Sequence, residues 1–108
     1  METTPHGYKV VTPEEVAETF ANDGKTFLLD VRTPGEWVTH RIPGVVLIPI
    51  DQLASRYQEL DPDRPTIVIC EHGVRSEAAA DFLARHDFAD VATMRGGMAQ
   101  WPGTIEKG

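Results

Sequence analysis

The apolar residues of this chain fall into short continuous blocks rather than a strict alternation with polar residues. The blocks that predict strands are TFLLDV at 26–31, VVLI at 45–48, TIVIC at 66–70 and DVATM at 90–94, with a candidate edge strand at 8–11. Such blocks are typical of strands that are buried on both faces of a sheet. Because helix-like segments separate them, the pattern predicts an α/β domain with a mainly parallel central sheet of about five strands, flanked by helices on both faces.

Helix-start signals follow several of the strands. The sequences TPEE at 12–15 and TPGE at 33–36 each place a threonine three residues before a glutamate, with proline at the first helical position. This is the spacing of a capping box, so both threonines are predicted N-caps. Gly24 is predicted to end the first of these helices. Asp51 is predicted to cap the segment QLASRYQEL, and Ser76 to cap the segment SEAAADFLARHD.

Composition and charge narrow the classes of function. The chain has 108 residues, which favours one domain over 1–108 with a core at about 8–102 and short flexible termini. Its 10 basic and 17 acidic side chains give a net charge of −7, which disfavours nucleic acid and membranes as partners. The chain has no secretory signal pattern, no apolar run of about 20 residues and a single cysteine, which together predict a cytoplasmic protein.

The single cysteine lies at a reactive position of the predicted fold. Cys70 ends a predicted strand, and the sequence CEHGVR at 70–75 leads into a predicted helix. Gly73 lets this loop curve, so that its backbone N–H groups and the positive end of the helix dipole can converge on the sulfur. Such an environment stabilises the thiolate relative to the thiol. Arg75 adds a cation that can pair with an anionic substrate, and Ser76 is either the helix cap or a donor to the sulfur.

Four segments of the chain resemble the signatures of the rhodanese family of sulfurtransferases, in the same order. They are LLDVRTPGEW at 28–37, IPGVVLIPIDQL at 42–53, CEHGVRS at 70–76 and MRGGMAQWPG at 94–103. The third is similar to the six-residue active loop of single-domain members. The last contains a glycine pair that we expect to form a tight turn beside the active loop. The resemblance extends over nearly the whole chain.

The resemblance implies a double-displacement reaction. Cys70 would take a sulfane sulfur from thiosulfate or a persulfide donor, become a persulfide, and pass the sulfur to cyanide, to a thiol or to a sulfur-accepting protein. Asp30 and Arg32 match a charged pair that braces the loop from beneath in the family. No metal and no organic cofactor is implied. The backbone N–H groups that would surround the transferred sulfur belong to Glu71, His72, Gly73, Val74 and Arg75.

Two other classes of function fit the same residues. The chain could be a catalytically quiet binding or relay module that retains Cys70 as a vestige. The architecture also resembles dual-specificity phosphatases and arsenate reductases, which place five residues between cysteine and arginine. Here four residues separate Cys70 from Arg75, and the next position is Ser76. A loop one residue shorter suits a single sulfur atom better than a phosphoryl group, which favours sulfur transfer.

Two departures from the family pattern concern the choice of donor. The family usually has Gly-His before the IPG segment, where this chain has His40 and Arg41, so Arg41 is a candidate supporting residue. Many members that are active on thiosulfate have a basic residue directly after the cysteine, where this chain has Glu71. Repulsion between Glu71 and a dianion predicts weak thiosulfate turnover together with better use of a persulfide or protein donor.

Overall fold

A computed structural model describes residues 2–3 and 6–108, and only the backbone of residues 2–3. In this part of the chain six strands form one sheet, in the order β1-β2-β6-β5-β3-β4. Neighbouring strands are parallel from β2 to β4, whereas β1 runs antiparallel to β2. The predicted α/β class and the five parallel strands are confirmed. The strands are β1 (Glu2–Thr3), β2 (Lys9–Val11), β3 (Phe27–Asp30), β4 (Val46–Leu47), β5 (Thr66–Ile69) and β6 (Val91–Met94).

Helices cover both faces of the sheet, as the continuous apolar strands predict. They are α1 (Pro13–Glu18), α2 (Pro34–Thr39), α3 (Ile50–Arg56) and α4 (Val74–Ala84), with short 3₁₀ segments at Phe20–Asn22, Tyr57–Glu59 and Gly97–Gln100. In β5, Ile67 and Ile69 pack with Val16 of α1 on one face. Val68 and the following Cys70 pack on the other face, in the cluster that contains residues of α3 and α4. Since side chains alternate along a strand, each central strand contributes to both halves of the core.

Both predicted capping boxes are present. The side chain of Thr12 accepts from the N–H of Glu15, the side chain of Thr33 accepts from the N–H of Glu36, and each glutamate accepts from its threonine N–H in return. The first helix is shorter than predicted. It ends at Glu18, and a 3₁₀ turn over Phe20–Asn22 follows it before the chain reaches Gly24.

Two helix starts differ from the sequence prediction. Helix α3 begins at Ile50 after Pro49, so Asp51 lies in its first turn instead of at its cap. Ile50 can join the helix because it packs against the buried core. Helix α4 begins at Val74, and its N-cap is Gly73 in the left-handed region, with a φ of 93°. Ser76 is therefore inside the helix and not its cap.

The C-terminal segment lies along α2. Arg41 and Glu106 form an isolated antiparallel bridge, and the N–H of Gly108 donates to the carbonyl of Val38 at 2.8 Å. The core boundary near residue 102 stays a prediction, and part of the predicted flexible N-terminus falls outside the described residues. Among residues 2–3 and 6–108, no helix has the length and apolar character needed to cross a lipid bilayer.

Candidate active site

Cys70 directly follows β5, at the carboxyl edge of the parallel sheet. This edge is where loops and helix N-termini of open α/β sheets form binding and reaction sites. The residue is 1% exposed, so its sulfur lies beneath the loop that connects β5 to α4. His72 and Val74 form the outer surface of that loop, and Val74 is 72% exposed. The sulfur is thus enclosed by its own loop.

Two backbone N–H groups donate to the sulfur of Cys70. The N–H of Gly73 lies 3.0 Å from Sγ and that of Ser76 lies 3.3 Å away. Hydrogen bonds from peptide groups favour the negatively charged form of a sulfur, and the first turn of α4 adds the positive end of its dipole. The convergence predicted from the loop sequence is therefore present at Sγ. That the other N–H groups of the loop also point at a transferred sulfur stays a prediction.

The hydroxyl of Ser76 contacts the sulfur from inside the protein. The thiol of Cys70 donates to Ser76 Oγ at 3.3 Å, and Oγ in turn donates to the carbonyl of Gly73 at 3.2 Å. A third contact, 2.7 Å long, joins Ser76 Oγ to Thr93 Oγ1. Of the two roles predicted for Ser76, the helix cap is wrong, and it is the backbone N–H of Ser76 and not its side chain that donates to the sulfur. Thr93 was missed because its proximity depends on the pairing of β6 with β5.

A glycine turn packs against the back of the active loop. The N–H groups of Met98 and Ala99 donate to the carbonyls of Cys70 and Glu71, at 2.8 and 3.0 Å. Gly97 has a φ of 66°, and a Cβ atom there would lie 2.4 Å from the carbonyl oxygen of Cys70. The predicted placement of the glycine pair beside the site is therefore correct. Only a residue without a side chain fits at position 97 in this arrangement.

A buried arginine lies beneath the loop. Arg32 is fully buried, and its Nε and Nη2 atoms donate to the carboxylate of Asp30 at 2.8–3.1 Å. Its Nη1 donates to Glu71 Oε1 at 3.1 Å, and its Nη2 also donates to the carbonyl of His40 at 2.7 Å. Arg32 therefore connects the end of β3, the end of α2 and the residue that follows Cys70.

The carboxylate of Glu71 has ionic partners within the protein. Its side chain is 22% exposed and its carboxylate faces Arg32, with His40 Nε2 4.0 Å from Oε1. Part of its charge is therefore balanced locally before any donor arrives. His40, predicted only as a departure from the family pattern, lies beside the active loop.

Arg41 occupies a different place from its neighbour His40. Its guanidinium stacks 3.9 Å from the ring centroid of Trp37, and its Nε lies 3.7 Å from Glu106 Oε1. These contacts hold the C-terminal segment against α2. A supporting role for Arg41 at the active loop stays a prediction. Because Arg41 contacts Trp37 and Glu106, such a role would act through α2.

Arg75 is paired with a carboxylate from α2. Its Nη1 and Nη2 atoms donate to the two carboxylate oxygens of Glu36, at 2.8 and 2.9 Å. These hydrogen bonds lower the pKa of Glu36 from its ordinary 4.5 to about 2, with further help from the N–H of Thr33. The same pairing raises the pKa of Arg75. The cation predicted to meet an anionic substrate is therefore already bound to a partner within the chain.

This pairing makes the stability of the fold sensitive to acid. Because the pKa of Glu36 is about 2 when folded and 4.5 ordinarily, the stabilisation is complete above pH 4.5 and is lost as the pH falls towards 2. We expect Glu36→Gln to lose less free energy of unfolding than the wild type when the pH is lowered from about 6 to about 3. Urea unfolding at both pH values measures this difference. An equal loss in both proteins would contradict it.

An open groove borders the active loop on the side of β6. Its volume is about 410 Å³, and it is lined by Val10, His72, Gly73, Val74, Glu77, Thr93, Arg95 and Gly96. The groove gives a donor or an acceptor space to approach the loop. Among the described residues, no group of three or more His, Cys, Asp or Glu side chains is placed to hold a metal ion.

Solved structures share this architecture. A rhodanese-related protein from Thermoplasma volcanium matches with a TM-score of 0.82 and 28% identity, over 92% of this chain and 98% of that one. A rhodanese-like domain protein from Staphylococcus aureus matches with the same TM-score and 26% identity, over 93% and 98%. The fold is thus the rhodanese fold.

The sequence matches the rhodanese-like domain family over residues 12–104, and the chain belongs to this family. A similar relative is thiosulfate sulfurtransferase GlpE of Pseudomonas syringae pv. syringae, 34% identical over 94 residues that cover 87% of each chain. Another is the uncharacterized protein YqhL of Bacillus subtilis, 35% identical over 91% of this chain and 75% of that one.

Proposed function

We propose that this protein is a sulfurtransferase of the thiosulfate:cyanide type, which carries a sulfane sulfur on Cys70. The observation that supports it most directly is the sulfur of Cys70 held by the N–H groups of Gly73 and Ser76 at the start of α4. Family membership and the similarity to a thiosulfate sulfurtransferase support the same reaction class. The proposed donor is thiosulfate or a persulfide, and the acceptor is cyanide, a thiol or a sulfur-accepting protein.

The reaction proceeds in two displacements. The Cys70 thiolate attacks the outer sulfur of thiosulfate, the bond between the two sulfurs of thiosulfate breaks, and sulfite leaves with that electron pair. The cysteine now carries a persulfide with one negative charge. An acceptor nucleophile attacks the terminal sulfur, the bond between that sulfur and Sγ breaks, and the thiolate is regenerated. Cyanide becomes thiocyanate, whereas a thiolate becomes a persulfide. No cofactor takes part in this scheme.

The loop backbone supplies the electrostatic stabilisation. Peptide N–H groups at the start of α4 balance the negative charge on sulfur in the thiolate and in the persulfide. Asp30 and Arg32 keep the loop in place from below. Because the reactive group must stay reduced between turnovers, the proposed compartment is the cytoplasm.

A sulfur-relay module is a second candidate, favoured by the 1% exposure of Cys70 and by the pairing of Arg75 with Glu36. In this reading the protein receives sulfur from a protein partner and turns over small donors poorly. A putative sulfur carrier protein of Bacillus subtilis, YrkF, is 36% identical over 79% of this chain, which spans 46% of that relative. No comparable observation favours a phosphatase or an arsenate reductase.

Intact mass spectrometry tests the proposal. Incubation of the protein with thiosulfate is expected to add one sulfur, about 32 Da, and dithiothreitol is expected to remove it. Cys70→Ser should show no adduct and no thiocyanate formation. An adduct with a persulfide donor but not with thiosulfate would favour the relay module. If neither donor yields an adduct on the wild type, the sulfurtransferase proposal is wrong.

A further inference from the structure

The ion pairs that involve Arg32 and Arg75 carry one net negative charge together. Three carboxylates, those of Asp30, Glu36 and Glu71, surround two guanidinium groups. Arg32 is occupied by Asp30 and Glu71, and Arg75 is occupied by Glu36. An anionic substrate could therefore bind either guanidinium only by displacing a carboxylate. A thiolate on Cys70 would make the site more negative still.

Glu36 is the carboxylate that pairs with the more exposed of these two cations, Arg75. Arg75 and Glu36 are partly open to solvent, with side chains 33% and 31% exposed, whereas Arg32 is fully buried. Electrostatic interaction with Cys70 contributes to the raised pKa of Arg75, after the larger effect of its hydrogen bonds to Glu36. A sulfur donor that approaches Arg75 therefore meets an ion pair and not an isolated guanidinium.

Glu36 cannot easily move away from Arg75. Its Oε1 atom accepts from the N–H of Thr33 at 3.0 Å and from Thr33 Oγ1 at 3.2 Å, in the capping box of α2. The same oxygen accepts from Arg75 Nη1 at 2.8 Å. The carboxylate is thus fixed by its own helix start as well as by the arginine. A substrate anion must compete with an already positioned, bidentate internal ligand.

We infer that Glu36 is a specificity-determining residue, which selects against doubly charged sulfur donors by neutralising Arg75. The inference rests on the proposed function and deepens it by naming the donor class. Donors with one negative charge, such as persulfides and thiosulfonates, suffer less repulsion at this loop than the thiosulfate dianion. Because the effect is electrostatic, it depends on the charge of the donor and not on its shape.

The test compares Glu36→Gln with the wild type on two donors of similar shape. Thiosulfate carries two negative charges, and methanethiosulfonate carries one. The variant is expected to raise kcat/KM about tenfold for thiosulfate and about threefold for methanethiosulfonate. Removing one unit charge changes the interaction energy twice as much for the donor with two charges as for the donor with one. The ratio of the two values removes any effect on the cysteine itself. The gain for thiosulfate should shrink in about 1 M salt.

Two further variants control for structure. Glu15→Gln changes the glutamate of the other capping box, at the same helical position of α1, without touching Arg75. It should leave the donor ratio unchanged. Arg75→Gln alone should lower the ratio of thiosulfate to methanethiosulfonate activity about threefold, because it removes one positive charge, and Glu36→Gln added to it should return the ratio towards the wild-type value. Thermal unfolding of each variant checks that the fold is retained.

The outcomes separate this inference from the proposed function. Equal changes for both donors in Glu36→Gln, or the same ratio in Glu15→Gln, would overturn the role of Glu36 while the sulfur transfer itself remains. A donor ratio that Arg75→Gln leaves unchanged would also overturn it. Absence of any persulfide on the wild type, with either donor, would overturn the proposed function and this inference together.

Discussion

Arg32→Met is expected to lower the free energy of unfolding by about 3–5 kcal/mol, the cost of leaving a buried carboxylate without its partner. Asp30 and Arg32 are both fully buried, and the arginine donates to both oxygens of Asp30. Methionine fills much of the same volume but donates no hydrogen bond. The charge of Asp30 would remain enclosed, and Glu71 would lose its partner. Urea unfolding near neutral pH measures the difference.

Two comparisons test whether the lost ion pair between Arg32 and Asp30 causes this destabilisation. The double variant Asp30→Asn with Arg32→Met removes the orphaned charge and should be more stable than Arg32→Met alone. Arg85→Met removes an arginine whose side chain is 65% exposed, and it should change stability by less than about 0.5 kcal/mol. If Arg32→Met were as stable as the wild type, the ion pair of Arg32 with Asp30 would not be needed for the stability of the fold.

The position of this brace shows what the sequence can and cannot predict. Asp30 and Arg32 are two residues apart, so their pairing could be expected from the signature that contains them. The pairs of Arg32 with Glu71 and of Arg75 with Glu36 each join residues 39 positions apart. They form only because β3 and β5 are neighbours in the sheet. Strand order depends on crossover connections, which short apolar blocks do not encode individually.

Gly97→Ala is expected to destabilise the protein by about 2–4 kcal/mol and to reduce persulfide formation strongly. The backbone there has a φ of 66°, and the new Cβ would lie 2.4–2.5 Å from backbone atoms of Cys70 and Glu71. Backbone cannot yield as a flexible side chain can, so the active loop itself must shift. Denaturant unfolding and the mass of the thiosulfate-treated protein measure the two effects.

Gly24→Ala is the matched control. Gly24 has a similar φ of 73°, but a Cβ atom there would have nothing within 4 Å. It should therefore cost only the backbone conformational penalty, about 1 kcal/mol, and leave persulfide formation unchanged. If the two variants lost equal stability and formed equal amounts of persulfide, the close packing of the glycine turn on the loop would have no functional importance.

Local signals were predicted better than the starts of helices that depend on tertiary contacts. The capping boxes at Thr12 and Thr33 are complete within four residues, and both are present as predicted. Ser76 looked like a cap by residue type, but α4 starts earlier because Gly73 turns its N–H towards the sulfur of Cys70. The prediction for Asp51 was wrong because α3 begins one residue earlier, at the partly buried Ile50, which packs against the core.

The enclosure of Cys70 has a practical consequence for handling the protein. A disulfide between two copies would require their Cβ atoms to come within about 4 Å of each other. The only cysteine of the chain is 1% exposed beneath its own loop, so two folded molecules cannot bring their sulfurs that close without opening. Covalent dimers formed on storage in air would therefore report opening of this loop or unfolding, and a non-reducing gel could serve as a simple measure of sample integrity.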